Sequence, residues 1–383
     1  MTNPYHSMIT YGIDGTALIK PTPTGVERYV TQLLSAMMTL PLAPESERVI
    51  LYAPQAKPAQ LVLPVGWVWK ELDFWLPRGW THIRLSYELL RHPPDVFFNP
   101  AHEIPLCHGR AKVMTTVHDV IFRHVPGAYS TASLRRQEWA IKSIAKRAAR
   151  IVTVSESTKK DLIDIYKVPA ERLVVTHLAP GSSLGPPATA QAVMGKYALT
   201  PGMYVLFVGR VETKKNPITL IKAFIELRRR YGVGHPLKLV LAGSYGFGAE
   251  AALNLAKASN CTNDILFLGY VPDEDVPELM ANALCFAFPS LGEGFGIPIL
   301  EAMTAGIPVV TSDLPVMREI AHEAAVFVPA LDVAKWTVAL DTMLIDQKRR
   351  EELSVKGKER VKAFSWIQTA EATWQALRAT AHE

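Results

Sequence analysis

Two carboxylates eight residues apart, Glu293 and Glu301, stand in the string EGFGIPILEAMTAGIPVV. Each can accept two hydrogen bonds, which suits a vicinal diol. Three glycines in the five positions Gly292–Gly296 let a backbone loop approach a ligand closely. Pro298 has the residue type of a first helical position and Gly306 that of the residue just past a helix end. The helix between them directs its free N–H groups and positive dipole end at whatever the loop holds, with Glu301 expected in its first turn. Alone, Glu301 reads as a solvated surface acid; the whole string reads as a site for an anion that carries hydroxyl pairs.

A second group lies in FVGRVETKKNPITLIKAF, Phe207 to Phe224. A strand ends at Gly209-Arg210, a short loop carries Lys214 and Lys215, and Asn216-Pro217 reads as an N-cap followed by a first helical residue. Arg210, Lys215 and a helix end make three sources of positive potential, which fits a diphosphate leaving group whose charge grows as its bond breaks. Earlier in the chain, Thr24 and Glu27 form a capping-box pattern around Gly25, at a helix start with room for a phosphate or sugar. VHDVIFRHVP puts His118 at the carboxyl end of an apolar strand, and IVTVSESTKKDLI offers Ser155 as a cap. Many strand-to-helix turns look like the Gly25 turn; an isolated histidine is more often structural than chemical, but its place at a strand's carboxyl end favours a role for His118 in the cleft.

The elements that must hold these groups alternate between short β-branched runs and helical periods, the pattern of parallel sheets covered by helices. Six strands are expected at 8–13, 48–52, 95–98, 112–117, 151–154 and 173–175. GSSLGPPATA, 181–190, has a linker composition, and six more strands follow at 204–208, 237–241, 265–268, 284–288, 309–311 and 325–328. Two αβα domains result, residues 1–185 completed by about 366–383, and 186–365, with the carboxyl ends of both sheets facing a ligand held between them. Gly66–Trp80 gathers four tryptophans, read either as a hydrophobic cluster under a long loop or as an acceptor or membrane contact. Asp273-Glu274-Asp275 reads as a helix start with acids in its first turn rather than as a metal-binding Asp-x-Asp.

At 383 residues the chain exceeds the size of one core. No apolar run approaches the ~20 residues that span a bilayer, the start MTNPYHSMITYGID lacks a secretion signal, and three scattered cysteines fit neither a disulfide framework nor a zinc site. The expected location is the cytoplasm. The net charge of +5 is mild but concentrates at Arg135, Arg136, Lys142, Lys146, Arg147 and Arg150, opposite an apolar helix face. That segment is read as a crossover helix whose charged face is in water or rests on an anionic membrane; no nucleic-acid motif accompanies it.

The E-x7-E string, with TGVERY, the pair His118-Asp119, VSESTKKDL and VGR…KKN in this order, resembles the retaining glycosyltransferases of family 4, which have the GT-B fold. The resemblance covers nearly the whole chain. It implies an α/β architecture of two Rossmann-like domains across a cleft, with a C-terminal helix near 366–380 crossing back to the first domain. It assigns Arg210 and Lys215 to the donor pyrophosphate, Glu293 to hydroxyls of the transferred sugar and Glu301 to the ribose diol. Gly294, Phe295, Gly296 and Ile297 fall to sugar and phosphate through their backbone, with Gly209 and Leu300 in the same donor-binding segments. It also puts Val271 near the base, His118 near the transferred sugar and Gly25 near the phosphate. One departure is His322, where the family usually has glycine, so the turn geometry there is open. No cofactor or metal is implied; the donor is a nucleotide-diphosphate sugar, GDP-mannose favoured over a UDP-sugar. The acceptor is a saccharide or polyprenyl-linked saccharide. The likeness is to the mannosyltransferases of bacterial polysaccharide assembly; with no carboxylate clearly placed on the sugar's far face, front-face displacement is expected. Competing readings are a nucleotide-sugar epimerase on the same architecture and a non-catalytic nucleotide-sugar-binding protein. A dinucleotide oxidoreductase is opposed by the want of a G-x-G-x-x-G after a strand.

Overall fold

A computed structural model describes residues 8–20, 24–76, 79–181, 189–232 and 234–383. Most of the expected linker, and the expected boundary at 185/186, lie outside the described residues. The chain forms two compact units: 1–120 with 132–178 and 365–383, and 121–131 with 179–364.

The first sheet comprises β1 (Ile9–Asp14), β2 (Glu47–Ala53), β3 (Trp67–Glu71), β4 (Val96–Asn99), β5 (Lys112–Val117), β6 (Arg150–Thr153) and β7 (Leu173–Val175). Among these run α1 (Gly25–Thr39), α2 (Ser86–Arg91), α3 (Ile121–His124), α4 (Thr131–Arg147) and α5 (Glu156–Tyr166), of which α3 belongs to the second unit. The strands are parallel in the order β3-β2-β1-β4-β5-β6-β7. Buried Phe97, Phe98, Val113 and Met114 illustrate the near-continuous apolar strands that a doubly covered parallel sheet requires.

The second unit holds α6 (Ala190–Tyr197), β8 (Tyr204–Val208), α7 (Pro217–Tyr231), β9 (Lys238–Ala242), α8 (Ala249–Lys257), β10 (Ile265–Gly269) and α9 (Val276–Ala281). It continues with β11 (Cys285–Phe288), α10 (Ile297–Ala305), β12 (Val309–Ser312), α11 (Pro315–Ala321), β13 (Ala325–Val328), α12 (Val333–Ile345) and α13 (Gln347–Val361). Its parallel order is β10-β9-β8-β11-β12-β13. The last helix, α14 (Trp366–His382), belongs to the first unit. There the Trp374 ring meets Tyr11 and Trp67 edge-on, and Arg378 grips buried Glu47 through two nitrogens at 2.8 and 2.9 Å.

Each of the twelve expected strands is present to within one residue at either end. β3 was not expected. Its Trp-Val-Trp run reads as a cluster, yet Trp67 is buried and Trp69 donates to the Gln55 carbonyl, so the cluster is an edge strand with structural indoles. Trp80 likewise donates to Leu72, whereas Trp75 is exposed. The basic helix also divides. Ile141 and Ile144 of α4 are buried, and Arg135, Arg136, Lys142 and Lys146 are exposed. Arg147 instead ties down the Pro105 and Leu106 carbonyls, and Arg150 pairs with Thr380 and Glu383.

Candidate functional site

In the second sheet, strand order reverses between β8 and β11, which are hydrogen-bonded neighbours although far apart in sequence. Loops leaving the carboxyl ends of strands at such a switch point diverge and leave a crevice. The loop after β8 carries Arg210 and Lys215, and the loop after β11 carries Glu293. They are stitched together by a backbone bond from Leu291 N–H to the Lys214 carbonyl at 2.8 Å. The ammonium of Lys215 lies 2.5 Å from Glu293 Oε1 and 4.9 Å from the centre of the Phe288 ring. Fully buried Ser290 donates to the same Glu293 oxygen at 2.6 Å. Lys215 and Glu293 side chains are only 15% and 11% exposed, so this charge pair is largely withdrawn from water.

Asn216 supplies the stitch that sequence reasoning took for an ordinary cap. It occupies the N-cap position of α7 at φ 54°, but no side-chain cap bond forms. Instead its amide donates to the Pro289 and Ala330 carbonyls and its Oδ1 accepts from Thr219. The side chain therefore fixes the Lys215 loop against the end of β11. Arg210 sits differently. Its side chain is 61% exposed and its Nε lies 3.8 Å from Glu212, so the pair Arg210–Lys215 does not converge on Glu293. Only Lys215 does.

Gly209 leaves β8 at φ 147°, beside Gly243 at φ 146° and Gly269 at φ 66° on the ends of β9 and β10. A Cβ on Gly243 would stand 2.1 Å from the Gly209 carbonyl oxygen, a separation no side chain can adopt. The positions Gly243 and Gly269 were missed from sequence, because a single glycine after a strand carries no pattern by itself.

Helix α10 begins at Ile297, with Gly296 as N-cap at φ 114° and Gly306 as C-cap at φ 77°. Pro298 is thus one residue inside the start. Glu301 is the fifth helical residue, so the expectation of a first-turn acid is corrected: its carboxylate stands a turn into the helix, where a Cβ on Gly181 would lie 3.1 Å from its Oε1. Phe295 packs edge-on against Phe364, and Leu300 and Val271 have buried side chains, which leaves backbone groups as their means of touching a ligand. The acids at Asp273–Asp275 precede α9 instead of filling its first turn, and Asp275 accepts from Lys196 and Tyr197 at 2.6 and 2.7 Å.

In the first unit the capping box at Thr24–Glu27 forms, and a Cβ on Gly25 would meet nothing within 4 Å. Ser155 caps α5 by accepting from Thr158 N–H. His118 follows β5, its ring edge-on to Tyr29 at 4.7 Å and stacked near His102. Its Nε2 lies 3.1 Å from the Pro100 carbonyl, which can only accept, so Nε2 carries the proton and Nδ1 is the acceptor. Burial first, and then the neighbouring His102, push the imidazole down to about 4, so it is neutral at neutral pH. The ring lines a cavity of about 340 Å³ with His82, His102, Glu103, Gln137 and Trp139. Among the described residues, no group of three His, Cys, Asp or Glu side chains is arranged to hold a metal ion.

Residues 196–360 match the family described as Glycosyl transferases group 1, and residues 23–179 match Glycosyltransferase Family 4. The chain is 32% identical over 301 residues to the O-antigen chain mannosyltransferase B of Escherichia coli, covering 77% of each chain. Among solved structures it is similar to sucrose-phosphate synthase from Thermosynechococcus elongatus, with a TM-score of 0.73 at 18% identity over 97% of this chain and 98% of that one. HepE of Anabaena in complex with UDP and glucose gives a TM-score of 0.69 at 16% identity, over 97% and 100%.

Proposed function

The chain belongs to glycosyltransferase family 4, and from that footing we propose that it moves mannose from GDP-mannose to a saccharide or lipid-linked saccharide with retention of configuration. The mannosyl choice rests on the mannosyltransferase of Escherichia coli; HepE, held with UDP and glucose, keeps a UDP-sugar as the competing donor. The observation that carries the reading is Lys215 Nζ on Glu293 Oε1 at the mouth of the loop that starts α10.

The chemistry assigns each group a task. The donor diphosphate sits on Lys215 and the backbone N–H groups of Gly294–Ile297, with Arg210 swinging from Glu212 onto the same oxygens. Glu293 accepts from hydroxyls of the transferred sugar, and Glu301 from the ribose diol. Val271 meets the base through its backbone, while Gly209, Gly25 and Leu300 shape the donor's surroundings. Neutral His118 offers Nδ1 to a sugar hydroxyl. The bond from the anomeric carbon to phosphate breaks and the acceptor oxygen bonds to the same face. The acceptor proton passes to the departing phosphate oxygen, so no protein nucleophile, cofactor or metal ion enters. The site of action is the cytoplasm, at the inner face of the membrane for a lipid-linked acceptor.

Lys215→Ala is expected to lower turnover by roughly 10²–10³, the scale of losing one preorganised electrostatic partner. More exposed Arg210→Ala is expected to lose less. Initial rates at saturating donor decide this; near-wild-type turnover in both variants rejects the assignment.

A further inference from the structure

Thr81–Leu85, a wide π-type turn, runs straight into α2, so Thr81–Arg91 is one short helical rod with two apolar sides. Leu85 and Leu89 are buried in the first unit. Ile83, Tyr87 and Leu90, spaced by four and three residues and therefore on a common face, are each more than half exposed. Core packing explains the first set and leaves the second unexplained.

The charges on this rod are arranged around that exposed face. Its one carboxylate, Glu88, is turned inward and satisfied by Lys70 at 2.6 Å, Arg84 at 3.1 Å and His92 at 3.1 Å. Arg84 and Arg91 both lie over the Tyr87 ring, 6.0 and 5.2 Å from its centre. The loop after β4 extends the patch. Cys107 N–H bonds to Ser86 Oγ, and Arg147 holds the Leu106 carbonyl, leaving the Leu106 side chain about half exposed; Gly109 lies against Leu89 and Leu90 of the rod, with exposed Arg110 next in the chain.

We infer that this face, Ile83, Tyr87, Leu90 and Leu106 ringed by Arg84, Arg91 and Arg110, docks the protein on an anionic lipid bilayer. Aliphatic side chains enter the acyl boundary, a tyrosine suits the half-wet interface, and arginines meet lipid phosphates while their stems remain apolar. A protein partner fits less well. Four side chains on a convex rod offer far less than the ~800 Å² per partner of a stable interface. The same rod opens on His82, whose ring lies 6.0 Å from half-exposed Trp139 at the cavity that His118 lines. A bilayer at this face places a lipid-anchored saccharide beside that cavity, a consequence that rests on the transferase reading; the docking itself does not.

The test is flotation of the full chain with vesicles of phosphatidylcholine alone and of phosphatidylcholine mixed with phosphatidylglycerol. The wild type is expected to float with the anionic vesicles only. Ile83→Ser/Tyr87→Ser/Leu90→Ser is expected to lose at least about tenfold in partitioning, because the transfer of apolar surface is removed. Arg91→Glu is expected to lose several-fold, a loss that added salt reduces. Both variants should keep the wild-type melting temperature and GDP binding. Should the triple variant fail to fold, Arg91→Glu carries the test alone. A wild type that stays soluble beside anionic vesicles overturns the inference, as do variants that float like wild type. Concentration-dependent dimerisation of the wild type that the triple substitution abolishes also overturns it, since a second copy then covers the face. A wild type that binds neither GDP nor UDP sinks the transferase reading and leaves the vesicle result standing.

Discussion

His322 ends α11 with φ 48° and ψ −127°, a backbone region in which a β-carbon is crowded. The family resemblance led to a glycine at this place, and the backbone has the geometry that suits a glycine although the residue is histidine. Such a residue stores on the order of 1–3 kcal/mol of strain. His322→Gly is therefore expected to raise the unfolding free energy by about 1 kcal/mol, the gain being reduced by glycine's extra freedom in the unfolded chain. Urea titration of both proteins checks it; a destabilised glycine variant contradicts it. The sequence singled out Lys215 and Glu293 separately, as a cation for a diphosphate and a carboxylate for hydroxyls, and did not reveal that the two side chains pair with each other across their loops. Nor did it reveal that Asn216 bonds across to Pro289 and Ala330, since an asparagine before proline looks the same whether it caps its own helix or clamps a neighbour.

Strand ends show what one level up adds. Asp14 closes β1 and His118 follows β5, and both are shifted by burial in opposite senses. The Asp14 carboxyl is raised to about 6, held by Thr16 and Asn99, while His118 falls to about 4. Between pH 4 and 6, unfolded histidine binds a proton that folded His118 refuses, so this group makes stability rise with pH. In the same window folded Asp14 keeps a proton that the unfolded aspartate releases, so it makes stability fall with pH. The slopes oppose, and substitution unmasks either one. Asp14→Asn is expected to steepen the loss of stability on going from pH 6 to 4, and His118→Asn to reduce or reverse it. Each term amounts to about 3 kcal/mol at most, from 1.36 kcal/mol per unit. Parallel pH slopes in wild type and both variants would remove this account. Strand positions were legible because apolar runs bounded by turn residues mark buried parallel strands. β3 was not, since its tryptophans resemble any aromatic cluster until β2 pairs with it.

For the molecule as a whole, the sequence pattern carried the two-sheet α/β plan, and the C-terminal helix does join the first unit, where Trp374 and Arg378 anchor it. What the pattern could not carry was the surface. Among the described residues no helix is long and apolar enough to cross a membrane. The exposed apolar face of Thr81–Arg91 could not be told from a core face by periodicity, because a helix with apolar residues on two sides gives one blurred signal. The expected basic face lost Arg147 and Arg150 to internal bonds, which only tertiary structure shows.

The transferase reading depends on Lys215 and the α10 loop taking up a diphosphate. Calorimetric titration of GDP into the wild type and Lys215→Ala tests this most directly. The account predicts saturable one-to-one binding to the wild type, weakened at least about tenfold in the variant, as loss of a charge-assisted contact of ~1.5–3 kcal/mol requires. Equal affinity in the two proteins, or a wild type that binds neither GDP nor UDP, would contradict it.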